Sequence, residues 1–431
     1  MYYSLSNPSL TATFAEAVVQ GIAPDRGLYF PQNITPLPAS FFDQIDAMPI
    51  HDMAFTVMQP FVADSISATA LKEIIAETLD FDFPIVPITD NMASLELFQG
   101  PTLAFKDVGA RFMARCLSHL NQKKSAQKVT VLVATSGDTG GAVANGFLGV
   151  KGIEVVILYP KGKVSEVQEK QLTTLGQNIT ALEVDGVFDD CQDMVKTAFL
   201  DTEITAKRKL TSANSINVAR WLPQMLYYFI AYRALKGKHK KLVVSVPSGN
   251  FGNICAGMMG KKLGLPIDHF IASTNVNATV PRYMDTESYS PQPTVPTISN
   301  AMDVSDPSNF VRIQKIYNTS FPDLANDLTA YSFDDEQTKL GLKEIYSTSH
   351  YVADPHGAVG YLGLKKYLEN HKDAYGLFLE TAHPIKFLDT VTETLGVDVA
   401  VPERIQSLFS KTKKSIPIAS YAALKSYLIN S

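Results

Sequence analysis

The sequence predicts an α/β protein built on parallel sheets, and three features lead there. From about Val129 onward the chain repeats one pattern: an apolar run, a glycine-rich or polar turn, then a helix-like stretch. The apolar runs are Val129 to Ala134, Ile153 to Tyr159, Ile179 to Val184, Leu242 to Val246, Phe270 to Thr274 and Leu377 to Leu379. They are nearly continuous rather than alternating, as strands covered by helices on both faces should be. The third feature is bulk: 431 residues, 45% hydrophobic and 19% charged, can build a large core and predict two or three domains.

Composition also narrows the partners. A net charge of -5 and a pI near 5.9 argue against nucleic acid or an anionic membrane, because neither would be attracted electrostatically. The opening Met-Tyr-Tyr-Ser-Leu-Ser lacks a basic segment followed by an apolar one, and no later run is long enough to span a bilayer, so the expectation is a soluble, cytoplasmic protein. Cys116, Cys191 and Cys255 are odd in number, lack a Cys-x-x-Cys pair and fall in helix-like stretches, which points to core packing. None of the histidines is spaced i, i+4 from another, so no metal site is expected.

Taken in order, residues 1 to 90 mix short helical patterns with loops, and Gly27-Leu28-Tyr29-Phe30-Pro31 reads as a strand ended by its proline. A short strand, Leu95 to Phe98, then runs into Gly100-Pro101-Thr102-Leu103-Ala104-Phe105-Lys106-Asp107, a tight turn that opens a helix. Val108, Phe112, Cys116 or Leu117, and Leu120 recur at helical spacing, so one face packs inward and fixes where Lys106 emerges. A lysine partly buried at the positive end of a helix is disfavoured as an ammonium, and the neutral amine is the nucleophile that imine chemistry needs. Alone, it would be a solvated charge at a helix start.

Open parallel sheets bind ligands at the carboxyl ends of their strands, so the turns there carry the next candidates. Thr135-Ser136-Gly137-Asp138-Thr139-Gly140-Gly141 follows the first run; its glycines and hydroxyls at a helix start suit a carboxylate or phosphate, and equally a plain tight turn. It is neither a Walker loop nor a Gly-x-Gly-x-x-Gly fingerprint. Pro247-Ser248-Gly249-Asn250-Phe251-Gly252-Asn253 precedes a helix of small residues and reads as a phosphate cradle of backbone N–H groups. Glu380-Thr381-Ala382-His383-Pro384 follows a strand ending at Leu379, with Pro384 suited to a first helical turn. His383 and His356 read as caps or packed rings before they read as bases. Ser212-Ala213-Asn214-Ser215-Ile216-Asn217-Val218-Ala219-Arg220 leads into a long helix through Trp221 and Tyr227 to Leu235; Arg220 lies on an apolar segment, where it either snorkels or binds an anion.

The lysine turn, the Ser-Gly-Asp-Thr-Gly loop, the Ser-Gly-Asn-Phe-Gly-Asn loop, the Asn-Ser-Ile-Asn segment with its arginine and the Thr-Ala-His-Pro turn occur together in one order. That set resembles the threonine synthase family, in the tryptophan-synthase-β group of pyridoxal phosphate enzymes (fold type II), from the Gly-Leu-Tyr-Phe-Pro segment to near residue 400. The resemblance implies two open, twisted, mostly parallel sheets with a cleft between them and an N-terminal accessory region. It divides the chain into residues 1–90, a large cofactor-binding unit of 91–125 with 225–431, and a small mobile unit of 126–224. It implies pyridoxal 5'-phosphate carried on Lys106, its phosphate held by Gly249, Asn250, Phe251, Gly252 and Asn253, and its ring nitrogen met by Thr381. Ser136 and Thr139 would take the amino-acid carboxylate; Asn214, Ser215 and Arg220 would take a substrate phosphate. Asp138 departs from the wider fold type, where an asparagine is common beside the cofactor's 3-hydroxyl, and is read as a cofactor contact peculiar to a subgroup.

The implied reaction converts O-phospho-L-homoserine and water to L-threonine and phosphate, in a carbon–oxygen lyase acting as a monomer or homodimer. Within the fold, a serine or threonine dehydratase or a cysteine-synthase-like enzyme is the alternative. From other classes, a non-catalytic ligand-binding homologue and a dinucleotide-binding dehydrogenase stay open, the latter weakened by its missing fingerprint.

Overall fold

The computed structural model describes residues 1–122, 129–238 and 241–431. At the N-terminus, β1 (Tyr2–Ser4), β2 (Thr11–Ala12) and β3 (Tyr29–Pro31) form an antiparallel sheet in the order β2-β1-β3. Pro31, opposite Tyr2, is the last residue of β3, and Gln32 N–H still donates to the Met1 carbonyl at 3.1 Å. The helix Phe14–Gln20 between them starts on a capping box in which Thr13 and Glu16 satisfy each other's backbone N–H groups.

The chain then makes the hairpin β4 (Ile85–Thr89) and β5 (Met92–Glu96), and after the helix Lys106–Gln122 it enters a smaller sheet. Its strands are β6 (Val129–Ala134), β7 (Ile153–Pro160), β8 (Ile179–Val184) and β9 (Lys209–Ser212). Returning to the larger sheet, it contributes β10 (Leu242–Pro247), β11 (His269–Thr274), β12 (Leu328–Ser332) and β13 (Tyr375–Glu380), and it closes with β14 (Ile416–Ile418). The larger sheet has the order β12-β11-β10-β13-β5-β4, parallel except for its β4–β5 edge; the smaller is all parallel in the order β14-β8-β7-β6-β9. Helices cover both faces, which is why β6, β7, β10 and β11 are buried along their whole length.

Several elements differ from the sequence expectation. The strand before the lysine turn spans Met92–Glu96; Leu97 still donates to the Glu380 carbonyl at 2.9 Å, and the chain bends away beyond it. The long helix after Asn217 is broken into Val218–Trp221, a 3-10 turn Leu222–Gln224 and Met225–Leu235, because Pro223 interrupts the ladder. The residues after Pro402 return to the smaller sheet: β14 pairs with β8, and Leu424 and Leu428 of the final helix join its core. The boundary expected between residues 125 and 126 lies outside the described residues.

All three cysteines are buried and unpaired. No helix among the described residues is long and apolar enough to cross a membrane, and no group of three metal-ligating side chains is clustered among them.

Candidate active site

The carboxyl ends of β5, β6, β10 and β13 open into a single cavity of about 970 Å³, of the size that holds a cofactor together with a small substrate. The lysine turn enters it under tight local control. Asp107, at the start of the helix, accepts from the Thr102 N–H at 2.9 Å and from its hydroxyl, and Leu103 is held at φ +60° with its side chain fully buried. A β-carbon on Gly100 would fall 2.3 Å from the Asp107 carboxylate, so this turn requires glycine. Burial pushes the Asp107 carboxyl up to about 6. The turn is also sewn to the Thr381 turn: Phe105 N–H donates to the Thr381 carbonyl at 2.8 Å and His383 N–H to the Leu103 carbonyl at 3.0 Å. Lys106 and Thr381 therefore sit on adjacent backbone and both face the cavity.

Lys106 is only 17% exposed at its side chain, and burial lowers its affinity for a proton, opposed by Asp138 and reinforced by Lys386 and Arg220. Its amine lies 4.0 Å from Asp138 Oδ2. Asp138 itself does not line the cavity. Its Oδ1 is taken by the ammonium of Lys386 at 2.7 Å and by the Gln168 amide at 3.0 Å. Burial would raise its affinity for a proton, but Lys386 and Lys106 reverse that and hold it ionised, well below the usual carboxylate range. Lys386 and Gln168 are site residues that sequence reasoning missed. Lys386 follows the His-Pro turn in a short 3-10 helix, where nothing in its spacing distinguishes it from a surface lysine.

Ser136 and Thr139 reach the cavity from the start of the helix Asp138–Phe147, where Thr135 Oγ1 accepts from the Gly137 and Gly140 N–H groups at 2.9 Å each. Gly137, at φ +136°, packs so close to the Gln168 amide that a β-carbon would lie 2.4 Å from its Cδ.

Opposite them, the turn after β10 carries the cradle. Phe251 adopts φ +57° and starts the helix Gly252–Lys262, whose first-turn N–H groups have no partner within the helix. The buried Nδ2 of Asn253 has no hydrogen-bond partner, while its Oδ1 accepts from Tyr228 at 2.8 Å, which fixes the orientation of the amide. Gly249 rests against the segment from Ala301: a β-carbon there would lie 2.7 Å from Met302 Cα. His356 holds that segment. Its Nδ1 donates to Asp354 at 2.6 Å, leaving Nε2 to accept from the Ala301 N–H at 3.1 Å. Free backbone donors, an orphaned amide and room for no side chain fit a phosphate group such as that of pyridoxal phosphate.

The third wall comes from Asn214, Ser215 and Arg220. Arg220 does not snorkel: it is 3% exposed, its Nη1 donates to the Ala213 carbonyl, and its buried Nε has no partner. Among the described residues no carboxylate pairs with it; burial lowers its pKa to about 10, so it stays a cation at neutral pH. Gly109 makes room for it, since a β-carbon would lie 2.7 Å from the Arg220 carbonyl oxygen. Asn214 Oδ1 is likewise buried without a partner.

Ser215 is polarised by Asn250, expected from the sequence in the cradle, and by Asn309, which sequence reasoning missed. Its Oγ receives N–H donors from Asn250 and Asn309, both at 3.1 Å. Each amide is locked in that sense, because Asn250 Oδ1 accepts from Ser308 N–H at 2.6 Å and Asn309 Oδ1 from Arg312 at 2.8 Å. With both lone pairs engaged, the Ser215 hydroxyl has only its proton left to offer. The side chain of Asn250 thus serves this wall, and only its backbone belongs to the cradle. His383, the remaining candidate, accepts from Ile385 N–H at 3.1 Å and caps its turn; burial, helped by Arg404, lowers its pKa to about 4.

Three family models match the chain: Pyridoxal-phosphate dependent enzyme over residues 92–376, Threonine synthase N terminus over 1–79 and Threonine synthase, C-terminal over 357–428. The chain is 44% identical over 430 residues to a threonine synthase of Buchnera aphidicola subsp. Baizongia pistaciae, covering 99% of each. Its structure is similar to the crystal structure of threonine synthase from Escherichia coli, with a TM-score of 0.93 at 41% identity over 100% of this chain and 99% of that one. It is also similar to the pyridoxal-phosphate-bound threonine synthase from Brucella melitensis, with a TM-score of 0.93 at 31% identity, covering 99% and 98%.

Proposed function

The chain belongs to the threonine synthase family of pyridoxal-phosphate-dependent enzymes, and from that premise we propose that its cleft turns O-phospho-L-homoserine and water into L-threonine and inorganic phosphate. It is a carbon–oxygen lyase of threonine biosynthesis with pyridoxal phosphate as its cofactor. The observation that carries the choice of substrate is the second anion site: a buried, carboxylate-free guanidinium at Arg220 faces the same cavity as the cradle and the lysine.

When bound, the cofactor supplies an electron sink that delocalises negative charge from the carbons of an attached amino acid. The protein must do the rest. Lys106 carries the cofactor, and its amine, kept short of a proton by burial, takes and returns protons at Cα and Cβ of the substrate. Gly249 through Asn253 would hold the cofactor phosphate, and Thr381 would offer the ring nitrogen a hydroxyl instead of a carboxylate. Ser136 and Thr139 orient the substrate carboxylate at a helix start. Arg220 and Ser215 donate to the phosphate leaving Cγ, with Asn214 beside them. Asp138 sits behind Lys106, not against the open cavity.

A dehydratase or a cysteine-synthase-like enzyme has no need of that second anion site, and relatives matched end to end do not favour either. We read residues 126–224, joined by the C-terminal stretch that carries β14 and the last helix, as the small mobile unit. We read the chain as acting as a monomer or homodimer. Three buried free cysteines suit the reducing cytoplasm. The test is to supply purified protein and pyridoxal phosphate with O-phosphohomoserine, threonine or O-acetylserine plus sulfide. Stoichiometric threonine and phosphate from the first alone is expected; oxo acid or cysteine from the others would overturn the assignment.

A further inference from the structure

We propose that Lys386 is a positioning residue: by occupying the Asp138 carboxylate, it prevents Asp138 from trapping Lys106 as a paired ammonium. This rests on the reading of Lys106 as the cofactor lysine and adds to it the means by which that amine is kept reactive.

Two lysines approach one buried carboxylate from opposite sides. Lys386 is fully buried and has an acceptor for each of its three protons: Asp138 Oδ1 at 2.7 Å, the Thr102 carbonyl at 2.9 Å and Gln171 Oε1 at 3.1 Å. Lys106 has only Asp138 Oδ2, at 4.0 Å, beyond hydrogen-bond distance. The remaining charges around Lys106 do not replace Asp138. Arg220 and Lys386 oppose protonation and Asp354 favours it weakly, while the Asp107 carboxylate is turned onto Thr102. The Phe105 ring lies 5.6 Å from the amine, and the Tyr227 hydroxyl is spent on the Phe105 carbonyl.

The geometry also explains why the carboxylate is there. Lys386 reaches Thr102 on the lysine turn, while Gln168 and Gln171 belong to the helix Glu166–Thr173 beside the smaller sheet. Asp138, at the first position of its own helix, is the anion that Lys386 and Gln168 share, and Lys386 carries the link on to Thr102 and Gln171. A buried lysine without it would be an uncompensated charge, and a buried aspartate without Lys386 would take the nearest cation. That cation is Lys106.

The test measures the proton affinity of Lys106 directly, in the full-length chain freed of cofactor. Its acetylation by acetic anhydride is followed against pH by peptide mass spectrometry. In Lys386→Met the midpoint rises by about one pH unit, making Lys106 roughly tenfold less reactive near neutrality. In Lys386→Arg it stays at the wild-type position, and in Asp138→Asn it falls. An unmoved or lowered midpoint in a folded Lys386→Met protein overturns the proposal. If that variant does not fold, Asp138→Asn decides, and a midpoint at or above wild type overturns it. Borohydride reduction of the wild-type holoenzyme, mapped by peptide, tests the underlying reading separately. Cofactor fixed to Lys106 leaves the proposal to stand or fall on the midpoints, and cofactor on another lysine removes both.

Discussion

The two anion-type walls of the cavity are built on opposite principles. The cradle after β10 offers backbone N–H groups at a helix start and the Asn253 amide, with no cationic side chain among Gly249 to Asn253. The wall around Arg220 offers a buried guanidinium whose Nε has no partner, together with a serine forced to act as a donor. Backbone donors cannot titrate or swing away and cost little to leave facing a cavity, so they suit a ligand that stays. A buried cation without a paired carboxylate is expensive until an anion arrives, so it suits a ligand that comes and goes with each turnover. On this comparison we propose that the first wall holds the cofactor and the second the substrate's leaving group.

The strongest way to break the comparison is to damage each wall and ask which ligand is lost. Gly249→Ala puts a methyl 2.7 Å from Met302 Cα, a backbone atom that cannot step aside. Overpacking of about 1–3 kcal/mol and one displaced hydrogen bond to a charged group, about 1.5–3 kcal/mol, together cost about 4 kcal/mol. Pyridoxal phosphate affinity should fall roughly a thousandfold in an absorbance titration. Arg220→Ala should leave that affinity within about twofold and raise KM for O-phosphohomoserine roughly a hundredfold, the worth of one charge-assisted pair. If Arg220→Ala released the cofactor instead, the two walls would have been assigned the wrong way round.

Ser215→Ala sharpens the contrast at a smaller scale. It removes a single neutral donor to an anion and should raise KM about tenfold, with kcat largely kept. Asn309→Asp should do nearly the same without touching Ser215, because a carboxylate in place of Asn309 Nδ2 accepts the serine proton that the leaving phosphate needs. Inorganic phosphate as a competitive inhibitor reads both. Unchanged inhibition in both variants would show that the polarity of the serine is incidental.

How much of this was legible in the sequence follows the same division. The cradle, the lysine turn and the Thr381 turn were visible because each is a short contiguous signal, glycine or proline placed where a strand gives way to a helix. The continuous apolar strands were equally plain. The short edge elements β9, β12 and β14 were not, because Lys209-Leu-Thr-Ser, Leu-Thr-Ala-Tyr-Ser and Ile-Pro-Ile lack the long apolar run of a doubly covered strand. The groups that orient the site residues were also out of reach. Gln168 reaches Asp138 across 30 residues, Asn309 reaches Ser215 across 94 and Lys386 reaches Thr102 across 284, and a side chain that works by such contacts leaves no local pattern. Asp138 shows the consequence: nothing in its local sequence signals that Lys386 and Gln168 occupy its Oδ1 while Oδ2 faces Lys106.

The smallest expected effect concerns His383, the residue most easily taken for a base. Its Nδ1 accepts from the Ile385 N–H, so the ring is held in the tautomer that serves the cap, and burial keeps it neutral down to about pH 4. A folded-state pKa below the ordinary value near 6.5 means that the unfolded chain binds more protons between about pH 4 and 6.5. Its contribution to stability is complete above that window and is lost as pH falls through it. His383→Asn keeps an acceptor at the cap and removes the titration. Activity should stay within about twofold across neutral pH, since neither wall nor Lys106 is disturbed, and the loss of thermal stability on acidification should become shallower below pH 6.5. A fall in kcat of a hundredfold or more, with the cofactor still bound, would instead make His383 a participant in proton transfer, and Lys106 would no longer be the sole amine or imidazole with that task.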